Sequence, residues 1–323
     1  MLPTAAGASA ASPSFWGVTS SRQQERRGRP PLGSRLPADR LVPWVVRVLW
    51  VALPFTAGGA LGGALASSSR PVQLVATIGL WTGWAAGVVA SAVALPVSLT
   101  VLRVLAPAAV VASVAAAVAG HGSPLAVGWA AVTAGWVFSP TLGTFCVNGP
   151  AYPNERRFLL RAPGGLLWGP LAVAWALAVA GVATGPLLLA ARRWVWGAVA
   201  TVAGLPLAAL LLRAVHDLCR RWLVFVPAGV VLHDPLTVVD PVLFRRQSVR
   251  RLGPAPRASP ALDLTQKAPG LALELTLAED VELALVRPGR RLGDTVKSAR
   301  LLLTPTRPGA LLEYARGRRF PVG

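Results

Sequence analysis

The sequence predicts an α-helical membrane bundle of about six transmembrane helices, followed by a small cytosolic β-rich domain that a C-terminal helix closes. Hydrophobic residues make up 54% of the 323-residue chain and charged residues only 14%, against roughly 25% charged in an ordinary soluble domain. Residues 41–220 are almost continuously apolar, while charge concentrates at the two ends. After Arg221, short runs with alternating apolar and polar residues replace the long apolar runs.

The first 40 residues differ in composition from the rest. They are rich in Ser, Pro, Gly and Arg, and hold too few large apolar side chains for a core, so we expect a disordered, Arg-rich cytosolic tail. No basic start followed by an apolar run of ~7–15 residues indicates a cleavable signal peptide. The predicted plan is a tail at 1–40, a six-helix transmembrane domain at 41–220 and a cytosolic β-rich domain at 221–323.

The apolar region divides into spans at its polar and proline-containing breaks. A helix of ~20 residues crosses a bilayer core of ~30 Å. Pro96 and Arg103 mark the turn between the second and third spans, Pro107 should kink the third, and Ser139-Pro140 should bend the end of the fourth. Six segments of suitable length follow, at about 42–66, 72–95, 99–119, 125–145, 165–190 and 195–215.

Arginines set the predicted orientation. With six spans and an inner N-terminus, thirteen arginines of residues 1–221 fall on the cytosolic side and only Arg70, Arg192 and Arg193 fall outside, with Arg47 left out as ambiguous. The positive-inside rule therefore places both termini in the cytosol of a bacterial plasma membrane, and an odd span count would spoil the asymmetry. Because this pattern and an Arg-rich codon bias account for much of the net charge of +19, we expect the lipid bilayer as partner and no nucleic acid.

Two overlapping glycine pairs lie in the first span. Gly58 and Gly62 are four residues apart, as are Gly59 and Gly63. Such spacing lets a second helix approach closely, so these four glycines are candidate helix-packing residues. The alternative, which we favour, is a helix generally rich in small residues.

The longest polar interruption, 148–161, mixes arginine with apolar residues between the fourth and fifth spans. It could lie flat on the inner leaflet, where each arginine adds ~1 kcal/mol of attraction to anionic headgroups. Candidate inner-leaflet lipid contacts are Arg156, Arg157, Phe158 and Arg161. The favoured alternative is an ordinary cytosolic loop that obeys the positive-inside rule.

The last hundred residues predict antiparallel strands. Apolar runs at 222–226 and 230–233 flank Pro227-Ala228-Gly229 and read as a hairpin. Alternating runs at 271–277 and 281–286 flank a predicted turn at Glu279-Asp280, with a further arm at 300–304. Pro308-Gly309 opens a predicted helix from Ala310 to about Arg316, with one apolar face formed by Leu311, Leu312 and Ala315.

This order of strands closed by a helix resembles bacterial pleckstrin-homology-like (PH-like) domains, which often follow membrane helices. Residues 221–235 look like their opening hairpin, and Pro305 to Pro308 before the helix looks like their closing segment. The resemblance covers the last third of the chain and is a pattern of strands rather than a catalytic motif. The whole chain resembles uncharacterised actinobacterial multi-pass membrane proteins, which implies a membrane location and no established activity.

The sequence holds no recognisable catalytic or cofactor motif. The spans contain almost no ionisable residues, and HExxH, GxSxG and Walker A motifs are missing, as is an acidic Mg²⁺ cluster. We therefore expect no cofactor, metal or catalytic residue, and read Cys146 and Cys219 as reduced, buried residues.

One pair of motifs leaves a metal site open as an alternative. His216-Asp217 and His233-Asp234 could share a metal on the cytosolic side, with Asp240 as a further ligand. The favoured interpretation is that Asp217 pairs with Arg213 or Arg221 and that Asp234 begins a turn.

Three functions compete on these observations. The leading hypothesis is a non-enzymatic anchor or scaffold that presents the β-rich domain to a cytosolic or membrane protein partner or to the inner leaflet. The alternative is a transporter, or transporter subunit, for an uncharged or apolar solute, although no clear inverted repeat relates the two halves. The third is a membrane enzyme that uses surface residues, namely Arg156, Arg157, His216 and Asp217.

Overall fold

The computed structural model describes residues 37–286 and 294–323, without the side chains of 37–40. The predicted disordered tail therefore lies almost entirely outside the described residues. The first part of the described chain is helical, apart from one short strand. Its elements are α1 (Pro37–Val51), α2 (Leu53–Leu65), α3 (Arg70–Ala92), α4 (Pro96–Val118), α5 (Pro124–Val137), α6 (Pro140–Asn148), β1 (Arg156–Leu159), α7 (Gly164–Leu167), α8 (Pro170–Ala190) and α9 (Trp194–Leu218).

Within the described residues, five helical segments are long and apolar enough to cross a membrane, or six if a bent pair counts as one. Leu41–Leu65, which joins α1 and α2, is the first, and α3, α4, α8 and α9 are the others. The bent pair is α5 and α6, with an angle of 54° between them. The bend confirms the prediction for Ser139-Pro140, since α5 ends two residues before Ser139 and α6 begins at Pro140.

Proline starts most of these helices. It stands in the first two positions of α2 to α6 and of α8, where its missing N–H leaves no helical hydrogen bond unmade. The hydroxyls of Ser123 and Ser139 cap α5 and α6 by accepting from the backbone N–H of Ala126 and Leu142. The Ser-Pro pairs are therefore helix starts, which explains why one of them divides the fourth apolar segment.

Tryptophan side chains donate hydrogen bonds to backbone carbonyls where the first apolar segment is interrupted between α1 and α2. The break lies between α1 and α2, where Pro54 cannot donate to the carbonyl of Trp50. The indole N–H of Trp84 donates to that carbonyl at 3.2 Å, and Trp129 donates to the carbonyl of Leu49 at 2.9 Å. Buried backbone groups that a proline frees need such replacement partners. These deeply placed tryptophans are therefore structural, rather than part of an interfacial belt.

The four glycines expected to pack a helix do not contact one. A side chain at Gly58, Gly59 or Gly62 would meet nothing within 4 Å, and one at Gly63 would meet the ring of His121 at 3.0 Å. Within the described chain, the glycine face of α2 therefore has no helix partner, which agrees with the favoured alternative of a helix generally rich in small residues.

The closest helix pair is α8 with α9, and small residues hold it together. A Cβ on Gly181 would lie 2.6 Å from the carbonyl oxygen of Gly204, and Gly185 faces Thr201 in the same way. Gly181 and Gly185 have the four-residue spacing that allows close approach. The same sequence signal was therefore present in the fifth span, where it was not singled out.

The β-region contains two four-stranded sheets and a closing helix. Sheet 1 has the order β1-β2-β3-β4 with every pair antiparallel, and sheet 2 has the order β5-β7-β8-β6 with β6 parallel to β8. The predicted hairpin at 222–233 is confirmed. The elements are β2 (Trp222–Val226), β3 (Gly229–His233), β4 (Val242–Arg245), β5 (Val249–Pro254), β6 (Leu262–Asp263), β7 (Leu273–Leu285), β8 (Asp294–Leu303) and α10 (Pro308–Gly317).

The predicted turn at Glu279-Asp280 is wrong. Both residues lie within β7, which runs through them as one strand of 13 residues. The pairing with β8 is irregular between Thr276 and Val281, so the exposed polar residues are accommodated as a bulge. A polar pair between two alternating runs gives the same signal for a bulge as for a turn.

Both sheets and α10 enclose one apolar core. Leu311, Leu312 and Ala315 of α10 are buried in it, as the helix prediction requires. Backbone bridges between Leu160 and Pro305, and between Val238 and Leu285, join the sheets at two places. The β-region is therefore a closed unit rather than two separate layers.

Strand β1 corrects the predicted domain boundary at 221. It comes from the polar segment between the fourth and fifth apolar segments, yet it pairs with β2 as the edge strand of sheet 1. Its Phe158 is 4% exposed and packs against the rings of Phe225 and Tyr314. The β-region thus includes residues that precede the last two long helices.

Candidate functional site at the junction of the helices and the β-region

The β-region is fastened to the helices through β1. The side chain of Asn148, the last residue of α6, forms two hydrogen bonds of 2.8 Å with the backbone N–H and carbonyl of Arg157. Leu159 is 2% exposed and belongs to the helical core, where its side chain lies beside Gly143 of α6. Both the backbone edge and one face of β1 are therefore held by α6.

A buried ion pair strengthens the same junction. Arg221 and Asp234 are each 1% exposed, and two guanidinium nitrogens of Arg221 donate to the two carboxylate oxygens of Asp234 at 2.7 Å. Arg221 also donates to the carbonyl of Arg161 at 2.8 Å. The expectation that Asp234 begins a turn is met, since its carboxylate accepts from the N–H of Leu236. Of the two partners expected for Asp217, Arg213 or Arg221, the second is engaged by Asp234 instead.

The outer face of sheet 1 is unusually apolar. Side chains alternate across a strand, so the residues that flank the buried Phe225 and Leu232 point away from the β-region core. The strand register places Arg157, Val224, Val231 and Leu243 in one row across that face. Leu243 is 45% exposed. An outward sheet face normally carries polar residues, so this face indicates contact with something apolar.

A shallow open groove of about 210 Å³ crosses this face, and we call it the junction groove. Trp222 lies at its end nearest the helices and packs against the helical core. The guanidinium of Arg157 lies 5.4 Å from the centre of the Trp222 ring. The ring of His233 stacks on the same indole, with 5.0 Å between the ring centres. The lining residues are Glu155, Arg157, Trp222, Val224, Val226, Val231, His233 and Pro241.

His233, one of the residues that line the groove, has an unmet hydrogen-bonding group. Its Nε2 is buried and has no hydrogen-bond partner among the described residues. Burial lowers the pKa of His233, and the nearby guanidinium groups of Arg220 and Arg157 lower it further, against the opposing charge of Asp234. The imidazole is therefore neutral near pH 7 and can donate or accept one hydrogen bond at Nε2.

A second cationic group lies deeper, at the same end of the helices. Arg103 of α4 approaches the sulfur of Cys219 at 3.7 Å, and its buried Nε has no hydrogen-bond partner among the described residues. His216 and Thr100 are joined by a hydrogen bond of 2.8 Å beside it. Basic groups therefore collect where the helices meet the β-region.

The four candidate lipid contacts have different positions. Arg156 and Arg157 are half-buried on β1, and Arg157 lines the junction groove. Phe158 must be corrected, since it is buried in the β-region core and has no route to a lipid surface. Arg161 follows β1 and has a buried Nε beside Gly270. The segment pairs in a sheet instead of lying as a flat loop, because its backbone completes sheet 1.

The residues considered for a metal serve other contacts. Asp234 binds Arg221, His216 bonds to Thr100, and His233 stacks on Trp222. Within 37–286 and 294–323, no three His, Cys, Asp or Glu side chains are grouped closely enough to hold a metal ion. Cys146 and Cys219 are both buried and free. The chemistry of the site is therefore that of an aromatic groove with cationic groups, which suits an anionic ligand.

Sequence reasoning found Arg157 but missed Trp222 and His233 as its companions. They come together because β1 pairs with β2 across 65 residues of chain, which no local pattern reveals. Comparison of the chain with protein-family models, curated proteins and solved structures finds no match.

Proposed function

We propose that this protein is a non-enzymatic protein of the bacterial plasma membrane, in which the helices anchor the β-region and hold its outer sheet face against the inner leaflet or a partner located there. The observation that carries the proposal is β1. A strand supplied from between two apolar segments, and locked to α6 by Asn148, fixes the β-region to the helices instead of leaving it tethered by a linker.

The direction of the outer sheet face supports the leaflet as its target. Leu159 and Trp222 belong to this face and pack on the helical core. The same face continues across β3 and β4, where Val231 is partly exposed and Leu243 is exposed. Since one part of the face rests on the helix ends, the remainder points toward the bilayer surface around them. Apolar groups with a tryptophan and basic residues are typical of that boundary.

Photocrosslinking tests this proposal in the membrane. A photoreactive amino acid replaces Leu243 on the outer face of sheet 1, and Glu282, exposed on β7 of sheet 2, serves as the matched control position. We expect adducts with phospholipid, or with one defined protein, at 243 and not at 282. Adducts at neither position, or equal adducts at both, contradict the proposal.

The proposed orientation places both termini in the cytosol. It predicts that a cysteine at Ser68, between α2 and α3, reacts with a membrane-impermeant maleimide added to intact cells. A cysteine at Arg250, exposed on β5, should react only in inverted membrane vesicles. The reverse labelling pattern refutes the orientation. The buried Cys146 and Cys219 provide a low background.

Transport of an uncharged solute is the second candidate, and one observation favours it. The first apolar segment breaks near Pro54 and the fourth breaks at Ser139-Pro140, so interrupted helices occupy corresponding positions in the two halves. Such pairs often mark a transport site. Against this, the indoles of Trp84 and Trp129 already bond the carbonyls at the first break.

Water access at the break separates the two candidates. A transporter must open this region to solution, so a cysteine in place of the buried Leu53 should then react with a small polar maleimide. The anchor hypothesis predicts protection at 53 while the Ser68 cysteine reacts fully. The resemblances to PH-like domains and to an actinobacterial family stay predictions.

A further inference from the structure

We propose that the junction groove binds the phosphate of an anionic phospholipid of the inner leaflet, with Arg157 and His233 as its contacts and Arg220 as a positive charge nearby. This inference rests on the proposed function, because it requires the outer face of sheet 1 to lie at the leaflet. It adds a chemical preference that the anchor hypothesis does not contain. An anchor alone would accept neutral and anionic lipids equally.

The charges near the groove favour an anion. Arg157 lines it, and Arg220, which follows the last long helix, is near enough to act on the charge of His233. Glu155 is the acidic group among the lining residues, and its contact with Arg157 is long, at 3.5 Å. Asp234 does not neutralise the groove, because its carboxylate is held by Arg221. A doubly positive site with one weakly engaged carboxylate attracts phosphate.

Hydrogen bonding points to the same ligand. The buried Nε2 of His233 has no partner among the described residues, although the ring lines the groove. Buried polar groups are normally satisfied, so an unpartnered one at a groove marks a place for a ligand atom. A neutral imidazole with its proton on Nε2 can donate to a phosphate oxygen, while the guanidinium of Arg157 donates to another.

The apolar surroundings favour a lipid over a soluble phosphate. Val224, Val226 and Val231 form the floor of the groove, and Trp222 stands four residues after the end of α9. Trp222 therefore lies at the depth where headgroups meet water, provided that α9 crosses the bilayer. A soluble phosphate gains nothing from the valine floor, whereas glycerol and the first methylene groups of a lipid can cover it.

The test measures lipid binding to the purified full-length protein in neutral detergent by native mass spectrometry. The probes are short-chain phosphatidylglycerol, phosphatidylcholine of the same chain length, and glycerol 3-phosphate. Phosphatidylglycerol should bind, and the other two should not at equal concentration. Equal binding of phosphatidylcholine, or equally tight binding of glycerol 3-phosphate, overturns the proposal.

Variants locate the site. Arg220→Gln should weaken phosphatidylglycerol about fivefold, from ~1 kcal/mol per arginine near a membrane surface. His233→Phe keeps the stack on Trp222 but removes Nε2, and should weaken binding by about two- to tenfold. Arg220→Lys should retain most of the affinity. The matched control Arg250→Gln removes an exposed arginine from sheet 2 and should change nothing.

The outcomes distinguish this proposal from the anchor hypothesis. If Arg220→Gln and His233→Phe bind phosphatidylglycerol as Arg250→Gln does, the site is refuted, even if photocrosslinks to lipid still form at 243. If those crosslinks are missing as well, the proposed function fails with it. Unchanged thermal unfolding of the Arg220 and His233 variants shows that a loss of binding is not a loss of folding.

Discussion

Removing the carboxylate of Asp234 should break the buried ion pair with Arg221 at the junction and lower the free energy of unfolding. Asp234→Ala deletes two charge-assisted hydrogen bonds of 2.7 Å and leaves the guanidinium of Arg221, a residue 1% exposed, with its bond to the carbonyl of Arg161. Breaking a buried pair from one side costs about 3–5 kcal/mol, because the remaining charge is buried without compensation. Two lost bonds to charged groups, at about 1.5–3 kcal/mol each, give the same range.

A double-mutant cycle separates this mechanism from general damage. The free energy of unfolding is measured by urea denaturation in detergent micelles, followed by near-ultraviolet circular dichroism. In the cycle of Asp234→Ala, Arg221→Met and the double variant, the double variant should be more stable than Asp234→Ala alone, since no unpaired charge remains. Asp280→Ala, which removes an exposed carboxylate from β7, should cost less than about 0.5 kcal/mol. A cost below about 1 kcal/mol for Asp234→Ala, or additive costs in the cycle, refutes the reasoning.

Three further predictions test packing and charge elsewhere. Phe158→Ala should cost about 3–5 kcal/mol of unfolding free energy, because its ring fills the β-region core; a near-neutral effect would return it to a surface role. Gly181→Ala should cost about 1–3 kcal/mol by forcing α8 away from α9, whereas Gly59→Ala should not destabilise, and equal effects in a thermal unfolding assay would contradict the packing. Burial would raise the pKa of Glu274, but hydrogen bonds from Ser259 and Arg300 outweigh it and lower the pKa below 4.5. Its contribution to stability is therefore present at neutral pH and is lost as pH falls through the lowered pKa, so Glu274→Gln should flatten the acid limb of a stability–pH curve.

Hydrophobic periodicity and the positions of proline and turn residues predicted the elements that are locally determined. The long apolar segments, the bend at Ser139-Pro140, the hairpin at 222–233 and the apolar face of α10 all appear where the sequence placed them. Each has its signal within a few residues, as a proline, a turn triplet or a repeated spacing. Such features depend little on the rest of the chain.

Elements that depend on distant partners were not predictable. Strand β1 has the sequence Arg-Arg-Phe-Leu, which lacks a clear period and reads as a basic loop. It becomes a strand because the backbone of β2 hydrogen-bonds to one of its edges and the side chain of Asn148 hydrogen-bonds to the other. The hydrogen bond of Trp84 is likewise explained only by the carbonyl of Trp50, which Pro54 leaves free in another helix. The glycine motif in α2 shows the converse, since the local spacing is present and no helix of the described chain lies against it.

The sequence predicted only part of the candidate site, because its residues come together through long-range strand pairing. Arg157 was a candidate lipid contact for its charge, whereas His233 was considered as a ligand only in a disfavoured metal site and Trp222 as part of a predicted strand. Their shared role follows from one strand register, which puts the three side chains on the same face. A register is fixed by long-range pairing, so charge and composition alone could not join them.

The central claim is that the outer face of sheet 1 lies against the inner leaflet, and its most direct test is the accessibility of a spin label there. A nitroxide at Leu243 is compared with one at Glu282, with the protein in lipid nanodiscs, using oxygen as the apolar relaxant and a nickel chelate as the polar one. The account predicts that the label at 243 is relaxed mainly by oxygen, as lipid-exposed sites are, and the label at 282 mainly by the chelate. Preferential relaxation of both labels by the nickel chelate would place the sheet face in water and contradict the account.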